Sequence, residues 1–277
     1  AMGERGIGIL GMGGRKGEPR AQLLGLPHRD VTIRTGQFAL AATPSRSADL
    51  ARFAVRGKLV GHANFLEKAV VQRHDNRKPL RDAIAEIRTI EGHLPQVVNV
   101  EILRGLEGAA AASFFRAYRT LFAEGLGFTG RNRRPPRDPV NACLSLTYTL
   151  LHAEAVRALW VRGLDPLLGF LHSPYPGRAS LASDLVELCR PAADRWVWEL
   201  FRSRSLRSDH FSVSDGACLL GKAGRSLFYE GYEGLAQIER RRLRHASSLS
   251  ARAARAAAQA ELSGDWMPGY KMTEGAV

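Results

Sequence analysis

Ser45-Arg46-Ser47-Ala48-Asp49-Leu50-Ala51-Arg52-Phe53-Ala54 is the stretch at which the chain changes character. Before it, apolar residues come in short runs broken by glycine. From it onward they recur at helical spacing, through Leu50, Phe53, Ala54, Val60, Ala63 and residues 66–70. Ser47 or Asp49 offers the side-chain oxygen that a helix N-cap needs. The change of period sets the fold class: mainly α, a helical domain preceded by a short remnant of a β-sheet domain.

Upstream, Ile7, Ile9 and Leu10 form one strand-like run and Ala21 to Leu26 a second. Gly13-Gly14-Arg15-Lys16-Gly17 is turn chemistry, and Val31-Thr32-Ile33-Arg34 resumes with β-branched residues. Two or three strands do not make a stable sheet alone, so residues 1–43 read as a partial β-domain and linker. Gly6-Ile7-Gly8-Ile9-Leu10-Gly11 spells GxGxxG. The fingerprint needs a helix to open directly after it, and a glycine-rich turn follows instead, so a dinucleotide is rejected.

Downstream, the polar loop from His74 to Pro79 precedes a helix over Leu80 to Ile90, and a long helix runs from about Val98 to Phe122. The basic loop Arg131-Asn132-Arg133-Arg134-Pro135-Pro136-Arg137 cannot be helical at its prolines. Asp138-Pro139 opens the next helix, to about Arg162, with Asp as cap and Pro at the first helical position. Leu164 to Gly177 is a Gly- and Pro-punctuated connection. Helices return at Ser180–Cys189 and Ala192–Arg204, residues 211–233 are mixed, and Glu230 to Glu261 is helical. The helical domain thus spans 44–262, and 263–277 reads as a disordered tail.

The 277 residues are 45% hydrophobic, enough for a real core. Forty Lys and Arg against 27 Asp and Glu leave a net charge of +13, which favours a polyanionic partner, nucleic acid first. Cys143, Cys189 and Cys218 form no CxxC pair and no even-numbered framework, which suits a reducing cytoplasm. The longest uncharged stretch, Pro139 to Ala153, is too short to span a bilayer, so no membrane is expected.

Three features carry chemistry. Glu107 lies among small and apolar neighbours, where a carboxylate demands compensation; Arg104, three residues back, is the plain structural partner. His172 sits in the loop Phe170-Leu171-His172-Ser173-Pro174, where an ordinary loop histidine is the plain reading. Asp184 and Glu187 share a helix face at i,i+3, either solvated near the helix N-terminus, paired with Arg190, or gathered around a cation. Together these residues fit a divalent metal site of one imidazole and two or three carboxylates. Hard oxygen donors with a single nitrogen suit Mn²⁺ or Mg²⁺ better than zinc. A basic chain with such a site points to phosphodiester chemistry on nucleic acid.

Read in order, Leu103-Arg104-Gly105-Leu106-Glu107-Gly108, Asp138-Pro139-Val140-Asn141-Ala142, Gly169-Phe170-Leu171-His172, Pro176-Gly177-Arg178 and Ser180 through Glu187 followed by Arg190-Pro191 resemble the CRISPR-associated integrase-nucleases of spacer acquisition, the Cas-one family. Ala51-Arg52 with Gly57-Lys58 is similar to that family's linker-to-helix junction. The resemblance covers about residues 20–235 and implies that the helical domain is catalytic. It implies a Mn²⁺ or Mg²⁺ ion held by Glu107, His172 and Glu187, with Asp184 supporting. The implied reaction is attack of a DNA 3′-hydroxyl on a phosphodiester, with cutting of branched double-stranded DNA as its reverse. The small second adaptation protein is the implied partner, and the β-domain, which this chain enters midway, makes a homodimer in relatives. Asn141, Tyr148, Arg178 and Lys222 are expected near DNA phosphates, and Arg131, Arg133, Arg134 and Arg137 along the backbone. A non-catalytic DNA- or partner-binding scaffold derived from the family by truncation is the alternative.

Overall fold

The computed structural model describes residues 9–13, 18–26, 28, 30–72, 77–132 and 135–262. The expectations for Gly6, Gly8, residues 14–17, the start of the 74–79 loop, Arg133, Arg134 and the 263–277 tail lie outside the described residues. Two antiparallel hairpins accompany eight α-helices among the described residues. The first pairs β1 (Ile9–Gly13) with β2 (Glu18–Leu23), Ile9 opposite Leu23, with an irregularity between Gly11 and Met12. The helices are α1 (Thr32–Ala42), α2 (Pro44–Gln72), α3 (Arg77–His93), α4 (Val100–Tyr118), α5 (Pro139–Val161), α6 (Ser180–Glu187), α7 (Arg190–Arg202) and α8 (Lys222–Leu262). The second hairpin, β3 (Phe211–Ser214) and β4 (Ala217–Leu220), lies between α7 and α8 and turns on Asp215 and Gly216, both at positive φ, as a tight two-residue hairpin requires.

The strand expected over Val31–Arg34 is helical. Asp30 accepts hydrogen bonds from the Thr32 backbone N–H (3.0 Å) and hydroxyl, which starts the helix, and Ile33 is buried. Tertiary packing overrides β propensity here: α1 lies so close to α8 that a Cβ on Gly36 would fall 1.8 Å from the Ala254 carbonyl oxygen. Neither Ser47 nor Asp49 caps α2, which begins earlier, at Pro44. Ser47 is instead buried, its hydroxyl toward the Phe170 carbonyl (3.4 Å), and Asp49 pairs with Arg52. Asp138 caps α5 as expected, accepting from the Asn141 N–H at 2.8 Å, with Pro139 at the first turn.

α2, α4, α5 and α7 surround the core. Val55, Leu59 and Leu66 of α2 share one buried cluster with Leu103, Phe114 and Tyr118 of α4, Leu144 and Leu151 of α5 and Val197 of α7. Gln37, fully buried, fixes the connection after α5: its amide donates to the Asp165 and Leu168 carbonyls, both at 2.9 Å, and its oxygen accepts from the Asp165 N–H. The loop that carries His172 is therefore anchored at its entry. The three cysteines are buried free thiols, and among the described residues no helix is long and apolar enough to cross a membrane.

Candidate functional site

Five helices bring the site together. α2 supplies Lys58 and His62, α4 supplies Glu107, α5 supplies Tyr148, α6 supplies Asp184 and Glu187, and α7 supplies Arg190 and Asp194. The loop before α6 supplies His172. Of the three sequence-predicted residues, Glu107 and Glu187 meet on Lys58, and His172 is held by Asp184, three residues before Glu187 on α6.

The first intermediary is Asp184. Buried to 3% exposure, it accepts four hydrogen bonds from one turn of chain. Its Oδ2 takes the N–H groups of Phe170 (2.6 Å) and Leu171 (2.9 Å); its Oδ1 takes the N–H of His172 (3.0 Å) and contacts Nδ1 of the His172 ring (2.7 Å). Gly169 is required for this wrap, since a Cβ there would stand 2.9 Å from Oδ2. Facing a carboxylate, Nδ1 carries the ring proton, and Nε2 keeps its lone pair for a ligand. The acidic pair is thus neither solvated nor jointly directed at a cation. Asp184, expected as a supporting ligand, has both oxygens committed to the loop and holds the imidazole instead.

The second intermediary is Lys58. Its ammonium lies between two carboxylates, Oε1 of Glu107 and Oε2 of Glu187, the latter at 2.6 Å. Glu107 takes this partner rather than Arg104, which pairs with Glu101 and donates to the Ser173 hydroxyl (2.8 Å). Glu187 is also held by Arg190, at 2.9 Å from Oε1. Burial pushes the Glu187 carboxyl up, but Arg190 and Lys58 outweigh it and hold it well below the usual carboxylate range. Arg190 lies over the Tyr148 ring, 4.5 Å from its centroid.

Behind this layer lies a polar cluster that sequence reasoning missed. Asp194, fully buried, meets Nε2 of His62 (2.9 Å), accepts the Tyr148 hydroxyl, and offers its backbone carbonyl to the Tyr118 hydroxyl (2.8 Å). The His62 ring stacks on Phe114 at 3.7 Å. The available signal was periodicity: Ala51, Val55, Lys58 and His62 fall on one buried stripe of α2, an unlikely place for a lysine and a histidine without partners.

Burial pushes the His62 imidazole below its ordinary value, and Asp194 offsets this only in part. The unfolded chain therefore binds a proton near the ordinary pH of 6.5 that the native protein refuses until lower pH. The stability contribution is complete above that value and declines as pH falls below it. For one proton the decline is at most about 1.4 kcal/mol per pH unit. Urea unfolding at several pH values should show this slope in wild type and its loss in His62→Gln; the same slope in both proteins rules His62 out as its source.

The expected DNA-facing residues divide. Asn141 is fully buried: it accepts from Arg131 (2.8 Å) and the Asn132 N–H (3.0 Å) and donates to Asp138 (2.6 Å) and the Gly130 carbonyl (2.8 Å). It braces the basic loop and has nothing left for a phosphate. Tyr148 is likewise buried, with its hydroxyl spent on Asp194. Arg131 is half-buried and also reaches the Ser145 hydroxyl (3.1 Å). Arg178 ties the His172 loop closed through the Ser173 carbonyl and the Ser180 hydroxyl (3.2 Å). Arg137 and Lys222 are exposed, and among the described residues neither bonds to the Glu107–His172–Glu187 group.

Among the described residues, no three His, Cys, Asp or Glu side chains stand in a ready-made metal cage. The chemistry of the donors nevertheless fits a hard divalent ion: two carboxylates that already share one cation, Lys58, and an imidazole whose Nε2 is left free by Asp184. The position between the carboxylates is cationic by construction, and an ammonium holds it.

The sequence model of the family described as CRISPR associated protein Cas1 matches residues 1–234. The chain is 38% identical over 222 residues to CRISPR-associated endonuclease Cas1 1 of Thermodesulfovibrio yellowstonii, covering 77% of this chain and 68% of that protein. It is 35% identical over 213 residues to the CRISPR-associated exonuclease Cas4/endonuclease Cas1 fusion of Geobacter sulfurreducens, covering 74% of this chain and 38% of the fusion. Among solved structures, a casposase bound to integration product shares the fold, with a TM-score of 0.73 at 21% identity over 84% of this chain and 65% of the casposase. By the breadth of the family match and the identity to the Thermodesulfovibrio protein, the chain belongs to the CRISPR-associated Cas1 family.

Proposed function

We propose that this chain carries the catalytic centre of a metal-dependent DNA integrase and endonuclease of CRISPR adaptation. In this reading it inserts new spacer DNA by 3′-hydroxyl attack on a phosphodiester and cuts branched DNA by the reverse chemistry. The observation that carries it is the convergence of Glu107 and Glu187 on one cation position, with His172 held by Asp184 one turn before Glu187 on α6. Glu107, His172 and Glu187 would hold Mn²⁺ or Mg²⁺, which would supply Lewis-acid polarisation of the phosphodiester and stabilise charge on the leaving oxygen. The protein's own part is positional. Asp184 sets the His172 tautomer and ring plane, Arg190 keeps Glu187 ionised, and Tyr148 backs Arg190 from the core. The small second adaptation protein is the proposed partner, and a homodimer through the β-domain the proposed assembly.

One observation favours the scaffold alternative: the Lys58 ammonium already holds the position between the two carboxylates. Labelled branched DNA incubated with Mn²⁺, with and without EDTA, separates the two readings when wild type is run beside His172→Ala. Cleavage or strand transfer that needs the ion and disappears in His172→Ala is the expected result. Bound DNA that never reacts at any Mn²⁺ concentration overturns the catalytic reading in favour of the scaffold.

A further inference from the structure

The second half of α8 is chemically unlike the rest of the molecule. Residues 240–260 contain six arginines and one histidine and no acidic residue. Arg240 and Arg242 are taken up by Glu154, Glu233 and Glu239. At 100° per residue, Arg241, Arg244, His245, Ser248, Arg252 and Arg255 fall within an arc of about 100°, opposite the buried Leu243, Ser247 and Ala254. The row runs about 21 Å along the helix, the axial rise of about six base pairs. It is concave as well as basic. A hollow of about 430 Å³ is lined by His245, Ser248, Arg252 and Arg255 of α8, by Arg162 at the end of α5 and by His28.

A merely solvated helix face mixes signs, as the paired Arg240 and Arg242 do. On this arc Arg255 alone has a carboxylate partner among the described residues, Asp30 at 2.9 Å. Arg162, Arg241, Arg244 and Arg252 are exposed and make no ion pair among the described residues. Holding such like charges together is unfavourable unless an anion joins them. The row also lies past residue 234, where the family match ends.

We infer that this row is a second DNA-binding surface, one that tracks the phosphates of a duplex outside the catalytic centre. Arg244 and Arg252 of the row, with Arg162 beside it across the hollow, are its principal phosphate contacts. The inference shares with the proposed function only the premise that the partner is DNA; Glu107, His172 and Glu187 take no part in it.

The test is fluorescence anisotropy of a labelled blunt duplex titrated with the full chain across a range of salt. Arg162→Gln, Arg244→Gln and Arg252→Gln combined are compared with wild type and with Lys68→Gln, Lys78→Gln and Arg81→Gln, the same charge change on exposed positions of α2 and α3. Circular dichroism verifies folding of each. Loss of three phosphate contacts should make the slope of log K against log salt shallower by about 2.7 and weaken binding more than about tenfold near 0.1 M salt. The α2–α3 variant should keep most of the slope. Equal losses in the two triple variants reduce the effect to net charge and overturn the proposal. Unchanged duplex binding with lost binding to polyglutamate also overturns it, assigning the row to an acidic protein. If the row variant binds as wild type while His172→Ala abolishes cleavage, this inference fails and the proposed function stands. If wild type binds no blunt duplex, this inference fails, and the branched-DNA assay alone decides the proposed function.

Discussion

Asp184→Asn is expected to lower the free energy of unfolding by about 3–5 kcal/mol and to disable the site at the same time. The carboxylate receives three backbone N–H groups and one imidazole N–H from residues 170–172. An amide of the same shape offers one oxygen and turns an NH₂ toward the remaining donors. At least one buried N–H is then left unpaired, at about 1–3 kcal/mol each, and a charge-assisted set of bonds becomes a neutral one. Moving the carboxylate with Asp184→Glu does not help, because Gly169 already packs without a Cβ against this oxygen. The functional consequence follows from Nδ1. Without its carboxylate, the His172 ring loses the bond that fixes its tautomer, and loss of such a partner typically costs about 10–100-fold in metal affinity or activity. The contrast with His172→Ala gives the prediction its edge. That change removes one of the four bonds and should cost only about 1 kcal/mol while removing the imidazole altogether. Urea unfolding of both variants, beside Mn²⁺ titration calorimetry, checks the pair. An Asp184→Asn protein that unfolds at the wild-type midpoint would falsify the clamp assigned to this residue.

The legible parts of the fold were those governed by local chemistry. The α5 start is written in Asp138-Pro139, where the cap and the proline act within one turn. The change of period near Ser45 marks the entry to the helical domain for the same reason. Val31-Thr32-Ile33-Arg34 misled because β-branched residues favour strands only until packing decides, and Gly36 against Ala254 decides for helix. At the site, the residue types were readable and their partners were not. Glu107 clearly needed a cation, yet Arg104 was nearest in sequence and Lys58, 49 positions away, nearest in space. Asp184 and Glu187 share a helix face, but one is consumed by the loop before α6 and the other by Lys58 and Arg190. Spacing shows which side chains emerge together; it does not show what each meets. Asn141 and Tyr148 make the same point from the other side. Polar residues next to a basic loop look available, and both are spent within the core.

Lys58→Met should destabilise the metal-free protein by about 3–5 kcal/mol and make it more responsive to Mn²⁺ than wild type. The Lys58 side chain is 5% exposed and that of Glu187 3%, so the ion pair between them is out of water, and removing one partner leaves buried charge behind. Arg190 continues to hold one oxygen of Glu187, but the oxygen that faced Lys58, and that of Glu107 beside it, lose their cation. Methionine fills nearly the same volume, so the loss is electrostatic rather than a cavity. A divalent ion then competes with no resident ammonium, and its binding returns the stability that the substitution removed, since a ligand of the native state stabilises in proportion to the logarithm of its concentration over Kd. Three measurements test this together. Calorimetry should give a tighter Mn²⁺ Kd in Lys58→Met, thermal unfolding a lower metal-free Tm with a larger rise on adding Mn²⁺, and a double-mutant cycle with Glu187→Gln a coupling energy of at least about 0.5 kcal/mol. The cycle is needed because Lys58 touches Glu107 as well, and only a coupling term assigns the loss to the Glu187 pair. An identical Mn²⁺ response in the two proteins would mean that Lys58 and the ion do not share a position. Lys58 would then be a structural ion pair, and the cation position would have to be sought on the Nε2 side of His172.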